Sequence, residues 1–236
     1  MRHKIKKFII FLNGTYASSH IRVLSHNTYS TTIDKIKNET LYAADGGLNY
    51  VIKHNLNSQK IIYIGDNDSL SRKSKKFLDK KNLNINNYNS KTEYNELTAL
   101  NKDKCFSDFA AILDLILKDN LKNQVFIEIF YGLGGRKDHE MANLLEAEKF
   151  LLDLPQGGLC YFHGGVILST IDCMIYSEKN LSFSVFSKYK KCEIEISGAK
   201  YEGHILLERP SHGLSNQSTA NEVLFKPLGS LITIYF

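Results

Sequence analysis

Two aspartates separated by one residue, Asp66 and Asp68, have the chemistry of a metal site. They follow IIYIG at 61–65, a β-branched segment whose length and composition predict a buried strand. If the chain stays extended here, side chains two residues apart point to the same side, and both carboxylates can face one hard cation. Asp-x-Asp also occurs in solvated turns and helix caps, so the pair alone does not distinguish a metal site from a turn.

A second set of polar residues follows another short apolar segment, LYAA at 41–44. Asp45, Gly46 and Gly47 come directly after it. The two glycines would let a phosphate approach the backbone closely. Open α/β sheets bind ligands at the carboxyl ends of their strands, so we expect these three residues to contribute to a phosphate site.

GLGGRKDH at 132–139 lies between a predicted strand and a predicted helix. Gly134 and Gly135 would allow close approach of a phosphate, and Arg136 can bind it with both arms of its guanidinium. Asp138 can cap the helix or face a metal. The spacing is neither that of the dinucleotide fingerprint nor that of a P-loop, since no Gly-Lys-Ser/Thr follows.

Several carboxylates and a few cations thus follow predicted strands: Asp45, Asp66, Asp68, Asp103, Asp108 and Asp138, with Lys102, Lys104 and Arg136. This mixture suits magnesium and a polyphosphate, because acids hold the metal while cations offset charge on phosphate oxygens. We expect Lys104 and Arg136 to supply those cations. A set of aspartates without histidine or cysteine is not typical of zinc.

The first 155 residues alternate apolar strands with helical patterns, which predicts a parallel, helix-covered sheet. The strands are expected at 8–12, 41–44, 61–64, 85–88 and 125–131, and the helices at 47–54, 71–81, after Ser107 and at 138–152. From residue 156 onward the helical spacing stops. Eight short strands between 159 and 235, separated by glycine-containing turns, indicate an antiparallel sandwich or barrel.

The composition is that of an ordinary globular protein, with 236 residues, 43% hydrophobic and 23% charged. The net charge is +5, but its lysines are scattered and form no stripe with aromatic residues, which argues against a nucleic-acid partner. No apolar segment is long enough to predict a membrane span. Four cysteines without metal spacing, and an apolar segment at 8–12 too short for an export signal, predict reduced thiols in a cytoplasmic protein.

Six segments resemble, in the same order, the motifs of the thiamine pyrophosphokinase family: ADGGLN at 44–49, GDNDSL at 65–70, DKCFSD at 103–108, GLGGRKDHEMANL at 132–144, GAKY at 198–201 and GLSN at 213–216. The resemblance implies a Rossmann-like α/β domain with helices on both faces over 1–155 and a β-sandwich over 156–236. It also implies a homodimer with thiamine sites between subunits. The reaction would convert ATP and thiamine to AMP and thiamine diphosphate, with magnesium.

By the same resemblance, Asp66, Asp68 and Asp108 match the acidic metal-binding and catalytic positions. Arg136 and Asp138 match an Arg-x-Asp pair that takes part in catalysis. Ser215 and Asn216 match a Ser-Asn pair that helps to hold thiamine, while Asp45 matches a supporting aspartate. Asp68 and Asp138 are both candidates for the group that accepts the proton of the thiamine hydroxyl.

The chain departs from the family pattern at DKCFSD, where Cys105 replaces an acid and Ser107 a threonine, and in FSVFSKY at 183–189, which lacks a proline. Three other functions stay open from the residues. A diphosphokinase could use another alcohol, such as 6-hydroxymethylpterin, although the sandwich and GLSN favour thiamine. The Asp pair could instead serve a phosphohydrolase with an aspartyl nucleophile, and Cys105 makes a non-catalytic thiamine or nucleotide sensor conceivable.

Overall fold

The structure is a computed structural model that describes residues 5–17, 21–56, 59–80, 86–87, 97–99, 106–187 and 191–236. Its strands are β1 (Ile5–Phe11), β2 (Arg22–Ser25), β3 (Thr28–Tyr29), β4 (Thr40–Ala44), β5 (Lys60–Gly65), β6 (Asn86–Asn87), β7 (Leu97–Ala99), β8 (Gln124–Phe130), β9 (Gly158–Phe162), β10 (Val166–Ser169), β11 (Cys173–Tyr176), β12 (Ser182–Phe186), β13 (Cys192–Ser197), β14 (Gly203–Leu207), β15 (Asn216–Gln217), β16 (Glu222–Pro227) and β17 (Ile232–Tyr235). The α-helices are α1 (Gly47–Lys53), α2 (Arg72–Lys80), α3 (Asp108–Asn120) and α4 (Lys137–Asp153), and a 3-10 turn covers Ile33–Lys35.

The larger sheet contains eleven of the described strands, in the order β15–β12–β17–β10–β9–β8–β1–β4–β5–β7–β6. The strands from β9 to β6 in this order run parallel, and the others pair antiparallel. In β8 every residue after Gln124 is buried. This near-continuous burial is typical of a parallel strand that is covered on both faces.

Successive side chains of β1 point to opposite faces of this sheet, and helices cover both. Ile10 belongs to a core that also contains Ile112 of α3 and Phe150 of α4. Ile9 belongs to a core on the other face with Val51 of α1, and α2 packs beside α1. The carboxyl ends of the parallel strands therefore lie between α1 and α2 on one face and α3 and α4 on the other.

The second sheet is antiparallel throughout, in the order β14–β13–β16–β11–β2–β3. Its β13 alternates between buried residues such as Ile194 and outward residues such as Glu193, as expected for a sheet with one solvated face. Ile194 and Phe225 pack in one core with Tyr161 and Ile234 of the larger sheet. The two sheets therefore form a sandwich, which agrees with one of the two architectures predicted for this region.

The predicted helices and most predicted strands are confirmed within a few residues, whereas β2, β3, β7 and β15 were missed. The predicted domain boundary at 155 falls between α4 and β9. β9 pairs in parallel with β8, so one sheet continues across that boundary. β2 and β3, from the first part of the chain, belong to the second sheet. The division into domains 1–155 and 156–236 stays a prediction.

The carboxylate of Glu128 and its partner Lys7 hold Tyr29 and Thr31 against the larger sheet. Glu128 of β8 is fully buried, and its Oε1 atom accepts a hydrogen bond from the amide of Thr31 at 2.6 Å. The same oxygen lies 2.9 Å from Nε2 of His163, and the Lys7 ammonium lies 2.9 Å from Oε2. A carboxylate is costly to bury without partners, so the fold with Glu128 buried favours the position of the loop that supplies the Thr31 amide.

Among the described helices, none is long and apolar enough to cross a bilayer.

Candidate active site

The ends of β4 and β5 bring three aspartates together. The two strands are parallel neighbours, so the chain leaves both at the same edge of the sheet. Asp45, Asp66 and Asp68 each offer a carboxylate oxygen, and these oxygens lie within 4.8 Å of one another. All three residues line a cleft of about 530 Å³. Clustered carboxylate oxygens are the ligands that Mg²⁺ prefers, so the donor set fits this ion.

A glycine lets the two strand ends approach. A Cβ atom at Gly65 would lie 2.7 Å from the Cα atom of Asp45 and 2.6 Å from the hydroxyl oxygen of Tyr63. Any larger residue would therefore push the ends apart. Asp45 itself has a φ of 38°, a left-handed conformation that suits a sharp exit from the strand.

Asp45 is the most enclosed of the three acids, and it is 7% exposed. Its Oδ1 atom accepts hydrogen bonds from the amide of Asn67 at 3.0 Å and from the hydroxyl of Tyr63 at 3.1 Å. Its Oδ2 atom accepts one from the amide of Ser69 at 3.1 Å. Burial raises the pKa of Asp45, and its hydrogen bonds with Ser69 and Tyr63 partly oppose that rise. The side chain thus holds the turn after β5.

Asn49 of α1 fixes the same turn from the other side. Its Nδ2 atom donates to the carbonyl of Ser69 at 2.9 Å, and its Oδ1 atom accepts from the amide of Ser71 at 2.9 Å. Ser71 accepts a hydrogen bond from the amide of Ser74 at 3.2 Å, so it caps α2. The carboxylate of Asp68 stays at the exposed rim of the cleft, while Asp66 is half-buried.

The start of α3 supplies another wall of the cleft. Ser107 is the N-cap and accepts a hydrogen bond from the amide of Ala110 at 3.1 Å. Asp108 lines the cleft, but it is not a member of the group formed by the other three aspartates. The predicted phosphate ligand Lys104, like Asp103 and Cys105, lies outside the described residues.

Arg136 and Asp138 form an exposed pair at the start of α4. Nε of Arg136 lies 3.1 Å from Oδ1 of Asp138, and Nη2 lies 2.5 Å from Oδ2. This hydrogen bonding lowers the pKa of Asp138. The side chains are 71% and 63% exposed, so solvent screens the pair, and Arg136 can exchange this partner for another anion. Arg136 lines the cleft, whereas Asp138 is not among the described lining residues.

The amides of the glycine turn already have an acceptor that the sequence did not reveal. Oε1 of Glu140 accepts from the amide of Gly134 at 2.5 Å and from that of Gly135 at 3.1 Å. Gly135 lines the cleft, but its amide, like that of Gly134, points to a carboxylate of the protein itself. The sequence places a glutamate just inside the helix that follows the turn, but it does not give the direction of that side chain. Asn143, one turn further, donates to the carbonyl of Gly132 at 2.9 Å.

The other predicted residues divide between the cleft and a separate pocket. Gly46 lines the cleft, while Gly47 begins α1 against the carbonyl of Phe11. Ser215 and Asn216 line a pocket of about 440 Å³ elsewhere on the chain. Asn216 is buried and pairs with the backbone of Tyr201, through 3.0 Å and 2.8 Å hydrogen bonds. Within one chain, these two residues do not meet the aspartates.

The described part of the cleft is strongly acidic. Its charged lining residues are Asp45, Asp66, Asp68, Asp108, Glu140 and Arg136. A polyphosphate would be repelled by this excess of carboxylates unless a divalent cation came with it. The lining therefore supports a site for a metal–polyphosphate complex rather than for a free anion.

A family model and several solved structures match this chain. A family model described as "Thiamin pyrophosphokinase, catalytic domain" matches residues 34–153. The fold is similar to the crystal structure of thiamine pyrophosphokinase from Bacillus subtilis, with a TM-score of 0.65, 17% identity and coverage of 98% of each chain. It is also similar to the structure of yeast thiamin pyrophosphokinase, with a TM-score of 0.59, 12% identity and coverage of 99% of this chain and 86% of that one. A search of curated proteins gave no significant match.

Proposed function

Because the chain belongs to the thiamin pyrophosphokinase family and is therefore an enzyme, we propose that it transfers the β,γ-diphosphate of ATP to the hydroxyl of thiamine, giving thiamine diphosphate and AMP. The observation that carries this proposal is the convergence of Asp45, Asp66 and Asp68 on one acidic cleft with Arg136 at its wall. Such a cleft suits a metal-bound polyphosphate. Cytoplasmic location is part of the proposal and is supported by free thiols at all described cysteines.

We also propose that residues 1–155 form a Rossmann-like domain and residues 156–236 a β-sandwich domain. The parallel strands with helices on both faces support a Rossmann-like first domain, and the cleft at their carboxyl ends is where such sheets bind nucleotides. The sandwich of residues 156–236 would then be the second domain. β2 and β3 join that sandwich from the first part of the chain, so the two domains share an extensive boundary.

We assign the metal to Asp66, Asp68 and Asp108, with Asp45 holding the turn that carries the first two. Bound there, Mg²⁺ would neutralise part of the charge of the triphosphate. Arg136 would bind a phosphate oxygen with its guanidinium after leaving Asp138, and Lys104 would add a second cation. These residues position ATP and offset its charge, which is the main requirement of phosphoryl transfer.

In the reaction, the hydroxyl oxygen of thiamine attacks the β-phosphorus in line, and the bond from that phosphorus to the oxygen shared with the α-phosphate breaks. AMP leaves with that oxygen. The hydroxyl proton passes to a carboxylate. Asp68 and Asp138 are both candidates for this carboxylate: Asp68 lines the cleft, and Asp138 is released when Arg136 turns to the phosphate.

A homodimer would complete the thiamine site. A groove of about 670 Å³ between α4 and the outer strands exposes Met141 (58%), Leu145 (45%) and Tyr235 (38%). An apolar face of this kind is typical of a contact between protein chains. The groove shares Tyr235 with the pocket of Ser215 and Asn216, and α4 lines both the groove and the acidic cleft. A twofold pairing through this groove would bring that pocket of one copy beside the cleft of the other.

The test is a product assay with ATP, magnesium and thiamine, and a control without thiamine. We expect equal amounts of AMP and thiamine diphosphate. Asp66→Asn and Asp68→Asn should lose most turnover, whereas Asp79→Asn, an exposed residue of α2, should retain it. AMP formed only with a pterin alcohol would change the acceptor, and thiamine binding without turnover would identify a sensor. Normal turnover by Asp66→Asn would refute the metal assignment.

A further inference from the structure

Glu140 turns its carboxylate back from the first turn of α4 toward the glycine turn before the helix. As described above, Oε1 accepts both the Gly134 and the Gly135 amides. Oε2 accepts a hydrogen bond from the Lys137 ammonium at 2.9 Å. Only 17% of the Glu140 side chain is exposed, and it lines the acidic cleft. The carboxylate therefore occupies the anion position that two successive amides create.

This contact reaches further than ordinary helix capping. In a capping box, a glutamate at the third helical position accepts the amide of the N-cap residue. Here Arg136 is the N-cap, its side chain makes no capping bond, and Glu140 reaches past it to the two preceding residues. These two hydrogen bonds therefore link the glycine turn to α4 and do not cap the helix.

The turn depends on contacts of this kind for its shape. Gly134 has a φ of +79°, and glycine backbones adopt many conformations unless neighbours restrict them. Besides Glu140, the Thr15 hydroxyl donates to the carbonyl of Gly134, and Asn143 holds the carbonyl of Gly132. The residue that follows this restrained turn is Arg136, on the wall of the cleft.

We propose that Glu140 is a positioning residue for the phosphate end of the cleft. By engaging the amides of Gly134 and Gly135, it fixes the turn that carries Arg136. The phosphate then binds to the guanidinium of Arg136, and the amides of Gly134 and Gly135 do not contact it. This inference rests on the proposed function, because it assumes that a nucleotide phosphate enters the cleft.

The opposite role, in which Glu140 competes with phosphate for the amides, predicts opposite kinetics. Removing a competitor would free two donors and remove a negative charge, so magnesium–ATP would bind more tightly. Removing a positioning group would let the turn move, and magnesium–ATP would bind more weakly. The sign of the change in KM for magnesium–ATP therefore decides between the two roles.

The experiment compares Glu140→Ala, Glu140→Gln and Glu146→Ala, a control on the same helix outside the cleft lining. We expect Glu140→Ala to lower kcat/KM for magnesium–ATP by about 10- to 100-fold, with KM for thiamine unchanged. Glu140→Gln keeps an acceptor oxygen and should stay close to wild type. Added formate should fill the vacated position and restore Glu140→Ala in a saturable manner. Glu146→Ala should behave as wild type.

Wild-type kinetics in Glu140→Ala, a lower KM for magnesium–ATP, or equal losses in the alanine and glutamine variants would each overturn the inference. So would a loss of thermal stability with KM values unchanged for both substrates. If the wild-type protein shows no thiamine-dependent turnover, the proposed function fails instead. Calorimetry with a non-hydrolysable magnesium–ATP analogue then still tests Glu140, since unchanged affinity in Glu140→Ala contradicts its positioning role.

Discussion

The backbone amide of Ser69 donates a hydrogen bond to Oδ2 of Asp45 at 3.1 Å, and this bond joins the ends of two neighbouring parallel strands. Oδ1 of the same carboxylate accepts from Asn67 and Tyr63. These contacts hold a side chain that is 7% exposed, so Asp45 is fixed in place beside Asp66 and Asp68. Its main effect on the cleft is through the turn that carries the other two aspartates.

Asp45→Asn should therefore weaken both the fold and the metal site. One carboxylate oxygen becomes an NH₂ group, which faces a backbone amide or the Tyr63 hydroxyl and cannot accept from it. A lost hydrogen bond at a buried site costs about 1–3 kcal/mol, so we expect a loss of that size in the free energy of unfolding measured with urea. Magnesium affinity, measured by calorimetry, should also fall.

Asp34→Asn is the matched control, because Asp34 is exposed and lies outside the cleft. It should leave the urea midpoint and magnesium affinity unchanged. If Asp45→Asn behaves like this control, Asp45 does not organise the turn.

The parts of the candidate site that depend on local order were predictable from the sequence. Asp66 and Asp68 follow a strand directly, so the strand pattern alone locates them at the end of the sheet. The contact of Glu140 with Gly134 was not predictable, because a helix-starting glutamate can equally point to solvent. Side-chain direction at a helix start depends on neighbouring turns, and this turn is shaped partly by Thr15, which is distant in sequence.

The fold shows the same division between local and distant effects. Long apolar segments with clear periodicity, such as β8 and α3, were predicted correctly. β2 is only four residues long and pairs with β11, at least 150 residues away, so its own sequence carries little signal. Similarly, nothing in GLCYF indicates that β9 pairs in parallel with β8 and extends the first sheet. Pairing between such strands depends on tertiary packing and not on the sequence of either strand alone.

Glu128→Gln should destabilise the protein strongly. The substitution keeps the shape of a fully buried side chain but removes the charge that pairs with Lys7. Breaking a buried ion pair from one side costs about 3–5 kcal/mol, which urea unfolding should detect. Adding Lys7→Met should recover part of the loss, because it removes an ammonium that has lost its carboxylate partner. A loss no larger than that of an exposed salt bridge would contradict the structural role of the cluster.

The buried cysteines should make stability fall at high pH. Burial raises the pKa of the Cys173 thiol from 9.0 to about 12, and it raises that of Cys160 too. Above pH 9 the unfolded chain releases protons that the folded protein keeps, so the contribution is complete below that pH and is lost as pH rises toward 12. We expect the free energy of unfolding to decline over this range, and less steeply in Cys173→Ala. An identical pH dependence in that variant would contradict the assignment.

If thiamine sites lie between subunits, two inactive variants should complement each other. Asp68→Asn disables the acidic cleft, and Asn216→Ala disables the pocket beside the apolar groove. Once circular dichroism shows both to be folded, co-expression should yield mixed dimers with one intact site, and about a quarter of wild-type turnover should return. As a control, co-expression of Asp66→Asn with Asp68→Asn should give no activity, because both substitutions disable the same cleft.

Leu145→Asp should give monomers in light scattering and abolish complementation, because it places a charge in the exposed groove. Mixed dimers without activity would show that each chain holds a complete site. Dimers that still form when both variants carry Leu145→Asp would show that the groove is not the contact.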